Sequence, residues 1–317
     1  MSLPARLFSR LRPPYRLCSV YERLLGTEVE VQVVAQSRPQ AELAEAVALR
    51  ELERLTRVLN RFDEHSEFRQ WLNRPGERVP LSAELRGVLH LADDWRRLSS
   101  GAFHPGADAL GAVWKEAEAR GHLPDPADLA RVVEQLRRDP WTLHEGGSAT
   151  LHTRLPLGLN ALAKGFIVDQ MAETAHASPG VQAVLVNAGG DLRTIGGQGL
   201  SVSVANPFTA RDDAPPLGQV QVRDGALATS GSAHRGYRVG ETWYSHVIDP
   251  RTGQPVQGVP GVTVTAPTCT TADALATVLG VLPWEEGLAI AEKIPGVAAL
   301  IVKQDGRKHG TNNWTAF

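Results

Sequence analysis

From Pro140 onward the chain alternates short apolar runs with glycine-rich turns: AVLVNAGGDL, LSVSVANP, GQVQVRDGALATSG, WYSHVIDPRTGQPV and GVTVTAP. Runs this short, rich in β-branched residues and closed by Gly, Asn or Asp, form hairpins, and hairpins pair antiparallel. Two helices, expected over about 161–177 and 271–282, interrupt the series. A last helix (286–294) leads into the strand AALIVK and a turn at Gln304-Asp305-Gly306. Ahead of Pro140 the period changes. Val29, Val31 and Val33 alternate as a strand does, whereas Leu43, Val47, Leu52, Leu55 and Leu59 recur at helical spacing over 39–60. Further helices are expected at about 82–99, 107–120 and 126–138. The expected fold is therefore α+β, with antiparallel-rich sheets and helices packed on one side.

Composition narrows the function classes. Of the 317 residues 42% are hydrophobic and 21% charged, with a formal net charge of −2. Such a balance suits an ordinary globular protein and gives no electrostatic case for a nucleic-acid partner. Cys18 and Cys269 form no C-x-x-C pair and imply no disulfide framework. The N-terminus carries Arg6, Arg10, Arg12 and Arg16 but no apolar stretch of a secretory signal, and no run reaches the length of a membrane span. Residues 1–20 are expected to be a mobile basic arm, and 21–317 one domain. A cytoplasmic location is expected, or a periplasmic one if the assigned start is not the true start.

Five segments can carry chemistry. In Thr271-Ala-Asp273-Ala-Leu-Ala-Thr277, Asp273 and Thr277 lie four apart and share a helical face. A carboxylate beside a hydroxyl suits Mg²⁺, a hard cation, but Asp273 could equally complete a capping box behind Thr270. Asn160 to Phe166 (NALAKGF) opens a helix with Asn160 as N-cap. Lys164 in its first turn opposes the helix dipole, which makes sense beside a phosphate or on a plain surface. Asn187-Ala-Gly189-Gly190-Asp191 ends a buried strand in glycines that either cradle an anion or simply turn a hairpin. Thr229-Ser230-Gly231 is a small polar corner. His246 precedes the turn Asp249-Pro250-Arg251-Thr252-Gly253, as a general base or a structural histidine.

Taken in order, these segments resemble the ApbE family of FAD:protein FMN transferases over about residues 21–303. Leu25-Gly26-Thr27 resembles its Met-Gly-Thr. Phe62-Asp63…Ser66-Glu67…Asn73 is similar to its tyrosine…Ser-Glu…Asn segment, and Gly101-Ala102-Phe103-His104-Pro105 with Trp114 to its Gly-x-Phe-Asp-Pro…Trp stretch. Ala163-Lys164-Gly165 with Asp169, Asn187…Gly189-Gly190-Asp191, Thr229-Ser230-Gly231, Ser245-His246…Asp249-Pro250…Gly253 and Ala272 to Thr277 complete the set. The chain departs from the pattern at Asn60, His104, Gly158 and Asn160.

The resemblance implies an ApbE-like (T-fold-like) architecture and Mg²⁺-dependent transfer of FMN from FAD to a Thr or Ser hydroxyl of an acceptor flavoprotein, such as a subunit of a redox complex, releasing AMP. It implies Mg²⁺ ligation by Asp273, Thr277 and a backbone carbonyl near Ala161. FAD contacts would come from Phe62, Phe103, Lys164, Gly189, Gly190, Asp191, Thr229, Ser230, Gly231 and His246. The catalytic candidates are His246, Asp249 and Lys164, and Phe62 and Trp114 would enclose a ring of the nucleotide. A Mg²⁺-dependent FAD pyrophosphatase and a non-catalytic FAD-binding protein are the alternatives.

Overall fold

The computed structural model describes residues 13–209, 215–231 and 235–315. Its strands are β1 (Tyr15–Leu24), β2 (Thr27–Ala35), β3 (Arg78–Pro80), β4 (Trp141–His144), β5 (Ser148–Leu151), β6 (Val181–Ala188), β7 (Asp191–Gly196) and β8 (Leu200–Val204). There follow β9 (Gly218–Val222), β10 (Ala226–Gly231), β11 (Gly236–Val239), β12 (Thr242–Ser245), β13 (Gly261–Ala266), β14 (Ala298–Val302) and β15 (Lys308–Gly310). The helices are α1 (Arg38–Leu59), α2 (Glu67–Leu72), α3 (Ala83–Leu98), α4 (Asp108–Arg120), α5 (Pro126–Leu136), α6 (Asn160–His176), α7 (Cys269–Val281) and α8 (Trp284–Ala291).

One eight-stranded sheet, ordered β1-β2-β6-β7-β10-β13-β14-β15, organises the molecule, and every ladder in it is antiparallel. Strand periodicity decides its faces. Val29, Val31 and Val33 of β2 and Val184 and Val186 of β6 are fully or almost fully buried against Ala41, Ala44 and Ala48 of α1 and the apolar faces of α6 and α7. Each such valine contributes about 1.5–3 kcal/mol by leaving water. On the other face Leu192, Leu227, Leu300 and Val302 pack under the β8–β9 hairpin. A separate small core joins α4 and α5 to the β11–β12 hairpin through Leu110, Trp114, Leu129, Val133 and Val239.

The expected helices are all present, each within two residues of its expected ends except the last, which runs Trp284–Ala291 rather than 286–294. Three expectations need correcting. Residues 15–20 are not part of an arm: they begin β1, paired to β2 from Tyr15 against Ala35, and the rest of the expected arm lies outside the described residues or just before this strand. The helix α2 was not expected, because six residues carry too little periodicity to stand out; Ser66 caps it by accepting from the Arg69 amide. Asn160 is the first residue of α6 rather than its cap, which falls on Leu159 without a side-chain bond.

Candidate functional site

Helices α6 and α7 cross at Gly165. A Cβ there would lie 2.7 Å from the Cys269 carbonyl oxygen and 2.8 Å from the Thr270 Cα. Only a glycine admits that approach, since real side-chain carbons never come so close to backbone. The crossing lets Asp169, one turn further along α6, reach the start of α7. Its carboxylate accepts from the Cys269 amide (2.7 Å), the Thr270 amide (2.8 Å) and the Thr270 hydroxyl (2.7 Å), while the Arg193 Nε stands 3.5 Å away. The N-cap of α7 is Thr268, whose hydroxyl accepts from the Thr271 amide. The capping box behind Thr270 is thus not formed. Thr268 and Asp169 satisfy the helix start, and Asp273, one turn inside, is left for another purpose.

Asp273 sits in a cluster with Lys164 and Asp191. Lys164 makes an ion pair with Asp191, which is 2% exposed. Asp191 also takes the Thr229 amide. Burial pushes the Asp191 carboxyl up and Lys164 holds it back. Burial pulls the Lys164 ammonium down, but Asp191 and Asp273 more than offset this and leave it raised. The Asp273 carboxyl is pushed from 3.8 to about 8, first by burial and then by the neighbouring Asp191 charge, with Lys164 and the Gly165 amide opposing. Its Oδ2 is sealed from solvent and has no hydrogen-bond partner among the described residues. A buried carboxylate oxygen without a partner is costly unless a cation or proton comes to it.

An unpartnered, buried carboxylate oxygen of this kind suits a hard divalent cation. Thr277 lies one turn along α7, its hydroxyl donating to the Asp273 carbonyl (3.2 Å), which leaves its oxygen lone pairs available. Ala161 lies in the first turn of α6, three residues before Lys164. Carboxylate, hydroxyl and carbonyl oxygens are the ligands Mg²⁺ accepts, with waters and phosphates completing the octahedron.

Around the cluster the glycine turn is a hairpin turn whose two glycine amides are already taken, Gly189 by the Glu28 carbonyl (3.1 Å) and Gly190 by Asn187. Gly189 (φ 60°) and Gly190 (φ 95°) close the β6–β7 hairpin, with the Gly190 amide donating to the Asn187 side chain (3.1 Å). A Cβ at Gly189 would lie 2.4 Å from the Thr27 hydroxyl, so only a glycine lets Thr27 pack against this turn. Thr229, Ser230 and Gly231 end β10 next to Thr263 of β13. His246 follows β12. Its Nδ1 lies 3.0 Å from the Arg235 carbonyl. A carbonyl only accepts, so Nδ1 carries the proton and Nε2 presents a lone pair. Burial also pulls this imidazole below 6.5, favouring the neutral ring.

Three expected roles do not fit. Asp249 is no free catalytic carboxylate: it binds the Arg251 guanidinium (2.8 and 2.9 Å) and amide (2.9 Å), while its carbonyl takes the Gly253 amide, so it braces the turn. Phe103 is 3% exposed in the main core and cannot touch a nucleotide. Trp114 is 2% exposed, packs on Tyr244 with ring centroids 4.9 Å apart and donates to the Gly253 carbonyl (2.9 Å), so it encloses no ligand. Phe62, by contrast, is 75% exposed. Two open surface grooves, one beside Trp314 and one at the α4–α5 connection, lie apart from the cluster. The bridging roles of Gly165 and Asp169 had no sequence signal beyond their place in the Ala163-Lys164-Gly165 segment.

Comparison with known proteins gives the family. The profile of the ApbE family matches residues 25–301. A protein of Treponema pallidum named FAD:protein FMN transferase is 31% identical, covering 90% of this chain and 84% of its own. One of the same name from Vibrio cholerae is 35% identical over 78% of this chain and 73% of its own. The crystal structure of the ApbE protein of Thermotoga maritima superposes with a TM-score of 0.80 at 27% identity, over 94% of this chain and 97% of that one. With the family profile matching most of its length and its fold matching an ApbE structure, the chain belongs to the ApbE family.

Proposed function

We propose that this protein is an FAD:protein FMN transferase, moving the FMN half of FAD onto a Thr or Ser hydroxyl of an acceptor flavoprotein with Mg²⁺ at Asp273, Thr277 and the Ala161 carbonyl. The observation that carries the reading is the sealed, unpartnered Asp273 Oδ2 one turn from the Thr277 hydroxyl and beside the Lys164–Asp191 pair. Family membership supports the reaction class.

When bound, the cation would neutralise charge on the pyrophosphate and polarise it. Lys164, held by Asp191, directs its ammonium at the phosphates and stabilises charge shifting to the leaving group. The acceptor hydroxyl oxygen forms a bond to the FMN phosphorus, the bond from that phosphorus to the AMP phosphate breaks, and AMP departs. His246 Nε2 takes the hydroxyl proton; the Arg235 carbonyl holds the ring in the tautomer that can do so. Phe62 offers an exposed ring face for a planar part of FAD.

The test is incubation with FAD, Mg²⁺ and a threonine-bearing acceptor, following covalent flavin on a denaturing gel and AMP by chromatography. Flavin on the acceptor with equimolar AMP is the expected result. AMP with only free FMN makes the protein a pyrophosphatase, and bound FAD with neither product makes it a carrier.

A further inference from the structure

We propose that Arg61 is a positioning residue: its guanidinium backs the exposed Phe62 ring and fixes it as a stacking platform for one planar ring of the dinucleotide, flavin or adenine. This rests on the FAD reading above and adds to it a residue with no phosphate or metal to hold.

A single exposed phenylalanine needs no explanation by itself. This one has the highest exposure of any large hydrophobic residue described, and the chain around it is tied down. The Phe62 amide donates to the Asn60 side chain (2.9 Å), the Ser66 hydroxyl donates to the Asn60 carbonyl, and the His65 amide donates to Asp63 (2.9 Å). These bonds fix the backbone from which the ring projects. Behind the ring the Arg61 Cζ stands 4.6 Å from the centroid. A cation on one face leaves the other as the only one open for stacking.

Arg61 is itself held. It pairs with Asp108, the first residue of α4, and its side chain is only 21% exposed. Gly158 makes the room. A Cβ there would lie 2.7 Å from both the Arg61 Nη1 and the Asp108 Oδ2. Gly158 does not have the positive φ that demands glycine, so space and not backbone conformation is what glycine supplies here. Two residues later α6 begins, with Ala161 in its first turn and Lys164 opening its second. The platform therefore adjoins the segment that leads to the phosphate-facing lysine.

The experiment titrates FAD, FMN and AMP, by flavin fluorescence or calorimetry, into wild type, Arg61→Ala, Gly158→Ala, Phe62→Ala and Arg61→Ala/Phe62→Ala. Thermal midpoint and Mn²⁺ affinity are measured alongside. Arg61→Ala and Gly158→Ala are expected to weaken FAD about three- to tenfold, the range a partly desolvated cation–π contact spans. The loss should recur with only one of FMN and AMP, which names the ring, and Mn²⁺ affinity should stay unchanged. Arg61→Ala should add nothing once Phe62 is alanine. The proposal is overturned if Arg61→Ala leaves FAD affinity intact, if its effect persists undiminished in the Phe62→Ala background, or if all ligands and Mn²⁺ weaken together. A wild-type protein that binds no FAD instead removes the underlying reading, and this one with it.

Discussion

At the scale of single residues, Asp273 and His246 make opposite demands. Asp273 is a liability to the empty fold, since its carboxyl is raised from 3.8 to about 8 by burial and by Asp191. Between those values the native state binds a proton that the unfolded chain has lost, so stability of the metal-free protein should fall as pH rises from about 4 to about 8. Added Mg²⁺ should abolish that slope in thermal melts. Asp273→Ala should lose both the slope and the Mg²⁺-induced rise in Tm, with activity down by more than about a hundredfold while the fold survives, because the residue makes transition-state rather than folding contacts. Survival of full activity would remove the metal assignment. His246 sits below 6.5 and is neutral at pH 7. His246→Ala should reduce kcat by about 10²–10⁴-fold with FAD affinity retained, and the acid limb of the wild-type profile should lie under pH 6.5 and vanish in the variant. The sequence displayed the Asp273–Thr277 spacing but could not rule out a cap. Excluding it took Thr268 and Asp169, a hundred residues away, satisfying the helix start first. Asp249 misled for the same reason: its partner Arg251 is adjacent in sequence, yet nothing in the spacing says that the two side chains will bind each other.

Among elements, the decisive contact is the crossing of α6 and α7. The sequence marked both helices to within two residues, because their caps and turns are local, and was silent on how closely they approach. Gly165 carries that information. Gly165→Ala should force the helices apart, costing about 1–3 kcal/mol in urea unfolding and weakening Mn²⁺ affinity at the same time, because Asp273 then moves relative to Lys164. Loss of stability with unchanged metal affinity would separate the crossing from the site. The burial of Phe103 and Trp114 was equally illegible: both are aromatic residues in plausible motifs, and only the packing of the main core and of α4 against β11–β12 shows that they face inward.

For the whole molecule, the large sheet takes its strands from both ends of the chain, with β1 and β2 beside β6 and β14 and β15 at the far edge. The period-two pattern of Val29, Val31 and Val33 made β2 readable. β1 alternates too, with Tyr15, Leu17 and Tyr21 facing the core, but Arg16, Cys18 and Ser19 between them and the arginine-rich sequence ahead of it made the run read as an arm. Removing Tyr15–Leu24 should strip the ladder that covers the β2 edge, lowering Tm and promoting association through the exposed strand; light scattering on heating would register it, and a monomeric variant with unchanged Tm would count against the edge role.

In the metal-free protein the Asp273 carboxyl, raised to about 8, keeps its proton at pH 7, so Lys164 and Asp191 balance one another and the cluster carries no net charge. A divalent cation bound at Asp273 would displace that proton and give the cluster the positive charge that suits an anionic pyrophosphate. On the proposed reading, loading Mg²⁺ below about pH 8 should release a proton to the medium, and chelator-treated protein should bind FAD more weakly than Mg²⁺-loaded protein; equal affinities would take the metal out of the nucleotide site.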